Sequence, residues 1–520
     1  MKKSNIALLS IFATVAAAAA AGAGIAIARN NGVAMPWDKE PDTTASYGIM
    51  RNDDGEFVRT GAAKNMKAGI NGQRNDFDKV GPWSKVKTVE VNGNTMVRFY
   101  KWYENADGSA ISLSKIDHTW TVPAAFLDKN GKEKDYFDYS AFAVNVDKHE
   151  KLTSYAGELP KVGLTLDEYR EYAANAKGHV ATLAEYTAIY QLAAIEFGTT
   201  NLSTIFEGIQ AAEEVAVDVT MQKKGETNTI YVEDKGVLQP GMPFQLVEKA
   251  TQGSYPVEKT IVAGTIKSIT RKNVDFASSS SGEETEPDER KVYVIQLDCE
   301  EIDVRAKLIK EQDDGFAGEF EIFSATYQNG YVNSHGKGST RVTDRHTNPD
   351  NDNLSKYRQS ASYRGVENFY GGYPQYLEGV TAVTDQNGGL NVLVCKDPSK
   401  FANATIGSNL APTEIDGYEL LMNVPASFVN EQFFWGGVKL QDGYLIPDIE
   451  KAIEVEDPST LPEDALAKGA ASFNVNNPVT SFVTGTSFLD RSKVFGPMGF
   501  RGDQTPNDAG FGIFAARLAY

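Results

Sequence analysis

Between Tyr363 and Val380 the chain sets four glycines, Gly365, Gly371, Gly372 and Gly379, among five aromatics, Tyr363, Phe369, Tyr370, Tyr373 and Tyr376. The habit returns in weaker form from Gly510 to Tyr520. Closely spaced glycines let a backbone turn tightly or lie flat against a neighbouring segment. Interleaved aromatics supply large, rigid contact area with polar tips. Together they predict an irregular, loop-rich surface, and they favour recognition over catalysis.

Composition points the same way. At 520 residues the chain exceeds one ordinary core, so about two to four domains are expected. Aromatics at 10% and 46 glycines predict a β- and loop-rich protein and not a helical bundle. The net charge of −19 argues against nucleic-acid binding, which needs clustered Lys and Arg on phosphates. It suits a soluble particle-surface or secreted protein that resists self-association. Cys299 and Cys395 are the two cysteines, either a disulfide or a pair of reduced thiols. They make neither a disulfide framework nor a metal cluster.

At the N-terminus Lys2 and Lys3 precede an apolar run from Ile6 to Ala28, ended by Arg29. Such a run reads as a secretory signal or a membrane anchor. Being mostly Ala and Gly, it reads equally as an assembly helix, because small side chains allow close helix approach. Both readings stay open at this point.

Residues 37–46 form a polar, linker-like stretch. Asn92-Gly93-Asn94 between alternating runs predicts a β-hairpin returning through Thr95–Tyr103. Residues 164–200 carry the helical signals. Thr165-Leu166-Asp167-Glu168 and Thr182-Leu183-Ala184-Glu185 are both capping boxes. After the second, Leu183, Tyr186, Ile189, Tyr190, Ala193, Ala194 and Phe197 fall on one helical face, with Gly198 placed as the stop. That stripe predicts a core contact. Residues 217–308 read as short strands alone, clearest at 228–232, 260–266 and 291–297. The acidic stretch Ser278–Glu289 between the last two predicts an exposed, mobile loop. The segment reads as an inserted β module, or as one continuous domain with a long β excursion. From Gly315 onward, loops pinned by scattered short strands are expected.

The search for reactive chemistry returns little. There is no Gly-rich phosphate loop, zinc-binding His-Glu-x-x-His or nucleophile elbow. His118, His149, His179, His335 and His346 are dispersed, which suits structural histidines better than a catalytic set. Asp344, Asp350, Asn351, Asp352 and Asn353 gather oxygens that suit Ca²⁺, with a solvated turn as the alternative. No other cofactor is indicated. Carboxylates are too plentiful for any one pair to stand out. The candidate binding groups are aromatic and amide side chains: Tyr370, Tyr373 and Tyr376, then Phe434 and Trp435 in Phe433–Gly437, then Asn474, Asn476 and Asn477. Aromatic faces stack on sugars or anchor protein contacts. Their alternative role is to brace loops on the domain body.

These residues taken together resemble the formylglycine-generating-enzyme branch of the C-type-lectin fold. Ala181-Thr182-Leu183-Ala184-Glu185-Tyr186 loosely matches that family's Leu-Pro-Thr-Glu-x-Glu-Trp helix start. Gly371-Gly372-Tyr373-Pro374-Gln375-Tyr376 matches its Gly-Asn-Val-Trp-Glu-Trp motif, with Tyr for both Trp. Phe511-Gly512-Ile513-Phe514-Ala515-Ala516-Arg517 matches its terminal strand. The chain is also similar to large bacteriophage virion proteins of this fold. It shares their Phe-Tyr hairpin strand (Arg98-Phe99-Tyr100), a helix ending Ile195-Glu196-Phe197-Gly198-Thr199-Thr200-Asn201, and the string Tyr363–Gly371. The likeness covers roughly 95–210 and 320–520.

The oxidase members of the family depend on a cysteine pair near the C-terminus, and residues 396–520 contain none, so their copper-dependent oxidation is not implied. What the resemblance implies is an α+β, β- and loop-rich protein built on a C-type-lectin-like domain. Its expected parts are a hydrophobic N-terminal helix (1–30), a β-rich connector (31–110), the first part of the lectin-like domain (111–216), an inserted small all-β module (217–312) and the second part (313–520). The implied role is non-catalytic: a head or tail fibre or receptor-binding component on the virion surface, homotrimeric, joined to other virion proteins through its N-terminal region. Its external partner is a host surface glycan or protein. The alternatives are an exported bacterial surface adhesin of the same fold, secreted or held at the cell surface, and a glycan-degrading enzyme.

Overall fold

The computed structural model describes residues 43–520 apart from a series of breaks, the longer ones being 206–212, 277–287, 343–360, 405–414, 455–470, 485–499 and 505–514. The apolar run Ile6–Ala28 and the acidic loop as far as Pro287 lie outside the described residues, whereas Asp288 and Glu289 belong to a strand. The described chain is β-rich with few helices.

The hairpin forms where Asn92-Gly93 places it. Asn92 at φ 50° and Gly93 at φ 83° are both left-handed, the backbone of a two-residue type I′ turn. The turn joins Lys87–Val91 to Asn94–Tyr100, which pairs onward with Tyr136–Ser140. Leu518–Ala519 then inserts between Tyr136–Ser140 and His179–Val180, completing a five-stranded sheet. Val97 and Phe99 point into the main core, and Met96 points into a second one.

Two helices lie in sequence between the sheet's strands and its final strand. Helix α1 (Leu166–Asn175) and helix α2 (Leu183–Phe197) both begin with a complete capping box. Thr165 and Thr182 accept from the N–H of Glu168 and Glu185, whose carboxylates bond back to the Thr N–H at 2.7 and 2.9 Å. Replacing such a Thr by Ala costs about 1 kcal/mol of helix stability. Gly198 is the left-handed C-cap of α2, at φ 70°.

The stripe on α2 is core as expected, and burial extends beyond it. The stripe Leu183 to Phe197 predicted one buried face, but every residue of the helix except Ala184 is buried. Tyr47, Phe77 and Trp83 from the preceding segment, and Tyr444 and Ile446 from a later hairpin, share its core. A helix wrapped on all sides must find partners for its polar side chains inside the protein. Gln191 accepts from Trp102 Nε1 at 3.1 Å and donates to Glu104 Oε2 at 2.7 Å and to the Gly108 carbonyl at 2.8 Å.

Glu196 is met by Arg364, whose Nε and Nη2 donate to its two oxygens at 2.8 Å each. Asn75 Nδ2 and the Tyr363 hydroxyl complete its shell at 2.6 and 2.8 Å. Arg364 also reaches Asp78 at 3.0 Å. Burial alone lowers the Arg364 pKa, but Glu196 beside it raises it to a net increase, so the guanidinium is charged. A second buried pair ties α1 to the later chain: Arg170 Nε donates to Glu378 Oε1 at 2.5 Å.

Glu378 and Gly379 interrupt the long strand Gln375–Thr384, whose pairing register shifts between Leu377 and Thr381. Gly379 has φ +68°, and a Cβ there would stand 2.8 Å from the Cys395 carbonyl, so the position demands glycine. This strand is central in a second sheet, ordered Tyr418–Val424, Leu390–Cys395, Gln375–Thr384, Val479–Thr484, Phe500–Gln504, Ala471–Ser472.

Residues 213–324 supply a six-stranded antiparallel sheet with its own apolar cluster, which includes Leu246, Val262, Ile295, Leu297 and Ile322. The strands expected at 228–232, 260–266 and 291–297 fall within it, the first as Thr229–Val232 and the latter two inside Tyr255–Phe276 and Asp288–Asp298. Helix α3 (Val304–Asp313) breaks the strands-only expectation, packing Val304 and Leu308 into that cluster. Val304, Ala306, Leu308 and Ile309, all in the first six positions of a charged decapeptide, leave too weak a period to read. A short helix α4 (Tyr331–His335) follows.

The ion pair generates one prediction. Arg364→Met leaves the Glu196 carboxylate buried without its counter-charge and lowers unfolding stability by about 3–5 kcal/mol. Arg74→Met, at an exposed pair with Asp76, leaves the urea midpoint unchanged. A small effect of Arg364→Met refutes the assignment.

Glu104 generates a second. Burial pushes its carboxyl from 4.5 up to about 7, against the hydrogen bond from Gln191. A raised folded pKa means its stabilising contribution is complete below pH 4.5 and lost as pH rises through 7. Glu104→Gln, which cannot ionise, is therefore more stable than the parent at pH 8 by about 2–3 kcal/mol. The advantage shrinks or reverses at pH 4.5, read as paired urea titrations at the two pH values.

Candidate functional site

The sequence candidates scatter when placed in the fold. Tyr376, expected as an exposed binding group, is 0% exposed, and its ring lies 5.9 Å from that of Tyr169 on α1. It braces the second core and touches no solvent. Tyr370 and Tyr373 lie outside the described residues, as do Asn474, Asn476 and Asn477, and Asp344, Asp350 and Asp352. Phe434 and Trp435 form part of the strand Phe433–Trp435, paired with Ala452–Glu454. Among the described residues no group of three or more His, Cys, Asp or Glu converges as a metal requires.

The rest of the Tyr363–Val380 string is likewise committed inward. Tyr363 and Arg364 bond to Glu196 on α2. The carboxylate of Glu367 accepts N–H bonds from Gly330 and Asn333 at 2.9 and 3.0 Å. The fully buried Arg517 donates to the Glu367 carbonyl and, at 2.8 Å, to Gln375 Oε1.

The string's last glycine does reach a cavity. Gly379 lies on the wall of an open pocket of about 320 Å³ at the N-terminal end of α2. Four parts of the chain, far apart in sequence, build it. The first turn of α2 brings Glu185, with His179 from the strand just before. The end of Leu390–Cys395 brings Cys395, and the following 3-10 turn Pro398–Ala404 brings Phe401. The 3-10 turn Ala124–Phe126 and the loop after it bring Leu127, Asp128 and Lys129. Tyr444 closes the floor.

Each reactive group in the pocket is held. Glu185 is 2% exposed, and its Oε2 is spent on the Thr182 N–H and hydroxyl at 2.9 and 3.0 Å. Its Oε1 lies 3.0 Å from His179 Nε2. Burial works to raise its pKa, but His179, Lys134 and the Thr182 N–H together hold the carboxyl below its ordinary range. It is thus a fixed anion that orients His179 while it caps the helix.

Burial pushes the Cys395 thiol up, and its Sγ donates to the Asp397 carbonyl at 3.4 Å. Burial and then Cys395 raise the Tyr444 phenol. A protonated thiol and a protonated phenol are poor nucleophiles at neutral pH. The rim carboxylates serve their own turns: Asp397 accepts from Ser399, and Asp128 from Asn130 and Lys132. Lys129, Lys134 and Lys396 line the rim with no ion pair among the described residues. An apolar floor under a few polar groups is a surface for holding a small ligand.

The sequence named His179 and Cys395 only as isolated residues and Glu185 only as a cap. Nothing local joins positions 179, 395 and 444. His118 and His149 are exposed. Both cysteines are free, which selects the reduced alternative.

Thiol chemistry tests the assignment of the pocket. With iodoacetamide at pH 7.5, Cys395 alkylates several-fold more slowly than Cys299, and both more slowly than a cysteine in the urea-unfolded chain, as peptide mass spectrometry reads directly. Faster modification at Cys395 marks an activated nucleophile and overturns the picture of an inert pocket.

No protein-family model and no curated protein matches the chain.

Proposed function

We propose that this chain is a non-catalytic structural and adhesion component of a bacteriophage particle, a head or tail fibre or receptor-binding part built on a C-type-lectin-like domain. The observation that carries the reading is the meeting of three landmarks. The helix starting at Thr182, the string from Tyr363 and the terminal residues near Arg517 are separated by hundreds of residues, yet they bond to one another. Arg364 and Tyr363 hold Glu196 of α2. The Glu378 N–H donates to the Ala181 carbonyl at 2.9 Å, and the Tyr376 N–H donates to that of Ala515 at 3.0 Å. Arg517 closes the circuit on Gln375. Landmarks of a single lectin-like domain have to touch in this way.

The sheet of residues 213–324, with its own cluster, supports the reading of an inserted module in that domain. The protonated thiol and the committed carboxylates of the pocket support binding without turnover. On this reading the chain is a homotrimer on the virion surface. It attaches to other virion proteins through its N-terminal region and meets a host surface glycan or protein with the opposite end.

One observation favours a second reading. Lys2 and Lys3 ahead of Ile6–Ala28 suit export, which makes the chain a bacterial surface adhesin of the same fold.

Mass spectrometry of gradient-purified phage particles separates the two. Peptides of the chain co-purify with infectious particles in constant proportion to the capsid protein, and they include the segment ahead of residue 30. Absence from the particles overturns the virion reading. A mature N-terminus near residue 30 on protein recovered from bacterial envelopes establishes the adhesin instead.

A further inference from the structure

A second cleft, at the C-terminal end of α1, has the chemistry of a binding site. It measures about 280 Å³ and lies where three turns converge: the Asn92-Gly93 hairpin, the Asp147–Lys151 turn and the C-terminal end of α1. The three turns are fixed to one another. Asn175 Nδ2 donates to the Glu150 carbonyl at 2.9 Å, joining α1 to the second turn. Asn94, 3% exposed, donates to the Tyr520 hydroxyl at 3.1 Å, and that hydroxyl donates to the Ala176 carbonyl at 3.1 Å. The Asn94 Oδ1 accepts from the Ser154 N–H at 2.8 Å. The floor is therefore rigid and its hydrogen bonds are spent.

The rim is the reverse. Lys151 and Lys177 are exposed and have no ion-pair partner among the described residues. Asp147 commits Oδ1 to the N–H groups of His149 and Lys151 at 2.8 and 3.0 Å, which leaves Oδ2 without a hydrogen bond among the described residues. The Asn92 carboxamide, at the tip of its turn, is exposed. Tyr155 stands beside it, 38% exposed, with its hydroxyl 3.6 Å from where a Cβ on Gly93 would sit. The hydroxyl thus leans on the hairpin, and Tyr155 is part of the cleft wall.

We propose that this cleft binds a neutral polyhydroxyl ring, a pyranose unit of a glycan, with Tyr155 as its apolar platform and Asn92, Asp147, Lys151 and Lys177 as its hydroxyl partners. A sugar hydroxyl both donates and accepts, so it matches a rim that mixes ammonium donors, a carboxylate acceptor and a carboxamide. A purely anionic ligand meets Asp147 and the negative end of α1, and a cationic one meets two unpaired lysines. The volume sits near the lower bound for ligand clefts, about 300 Å³, which suits one or two rings and nothing larger. The inference does not rest on the virion reading and holds for the adhesin equally.

Saturation-transfer NMR and calorimetry on the full chain test it, with the methyl glycosides of glucose, galactose and mannose as probes. Glucuronate, glucosamine and cyclohexanol are the charged and apolar controls. At least one neutral glycoside binds, and more tightly than all three controls. Tyr155→Ala weakens that binding about tenfold or more, the usual scale for truncating an aromatic anchor. Tyr155→Phe stays within about threefold, since the hydroxyl serves the hairpin. Lys151→Ala, an exposed substitution with no fold role, weakens binding as an independent check on Tyr155→Ala. Failure of all three glycosides to bind overturns the proposal. So does equal binding by Tyr155→Ala, or preference for glucuronate or glucosamine.

Discussion

The structure depends on one buried charge. Glu196 sits near the end of a helix enclosed on every side, and no water reaches it. Its carboxylate is stable there only because Arg364, Tyr363 and Asn75 bring it a full set of donors. Those partners come from segments on either side of the helix in sequence, so the chain cannot bury α2 without bringing them together. A buried ion pair adds little net stability over an apolar pair of similar shape. What it contributes here is geometry: one register of the hairpin formed by Ala361–Tyr363 and Val366–Glu367 against α2 satisfies the carboxylate, and a slipped register leaves it unpaired in the core. Arg170 with Glu378 and Arg517 with Gln375 repeat the device at the other end of the string.

Local chemistry was legible in the sequence, and enclosure was not. The Asn92-Gly93 turn, both capping boxes and the Gly198 stop are contained in a few adjacent residues, and each appears where its pattern placed it. The stripe on α2 was read correctly as core, but it left out the face carrying Gln191 and Glu196, which is buried as well. Only chain from distant positions, Trp102 and Arg364 among them, turns that face inward. Tyr376 failed as a surface candidate for the same reason. A tyrosine in a Gly-rich stretch looks exposed until α1 covers it. The pocket at Gly379 had no local signal at all, since its walls come from residues near 124, 182, 395 and 444. The cleft at Tyr155 escaped notice because each of its groups belongs to a different turn.

Both concave sites lie at the ends of helices, the pocket at the start of α2 and the cleft at the end of α1. Between them the helices and the two sheets form a body whose polar groups are largely used up internally.

The insertion of Leu518–Ala519 between Tyr136–Ser140 and His179–Val180 has a consequence for how the molecule is made. During synthesis the ribosome releases those two flanking strands long before it reaches the strand that separates them. Until then the sheet carries a gap with two open edges, and Ser140 and Glu367 lack the guanidinium of Arg517. Such edges invite pairing with other chains. The emerging polypeptide therefore spends most of its translation as an unfinished body, and a chain cut short of residue 515 has no way to close.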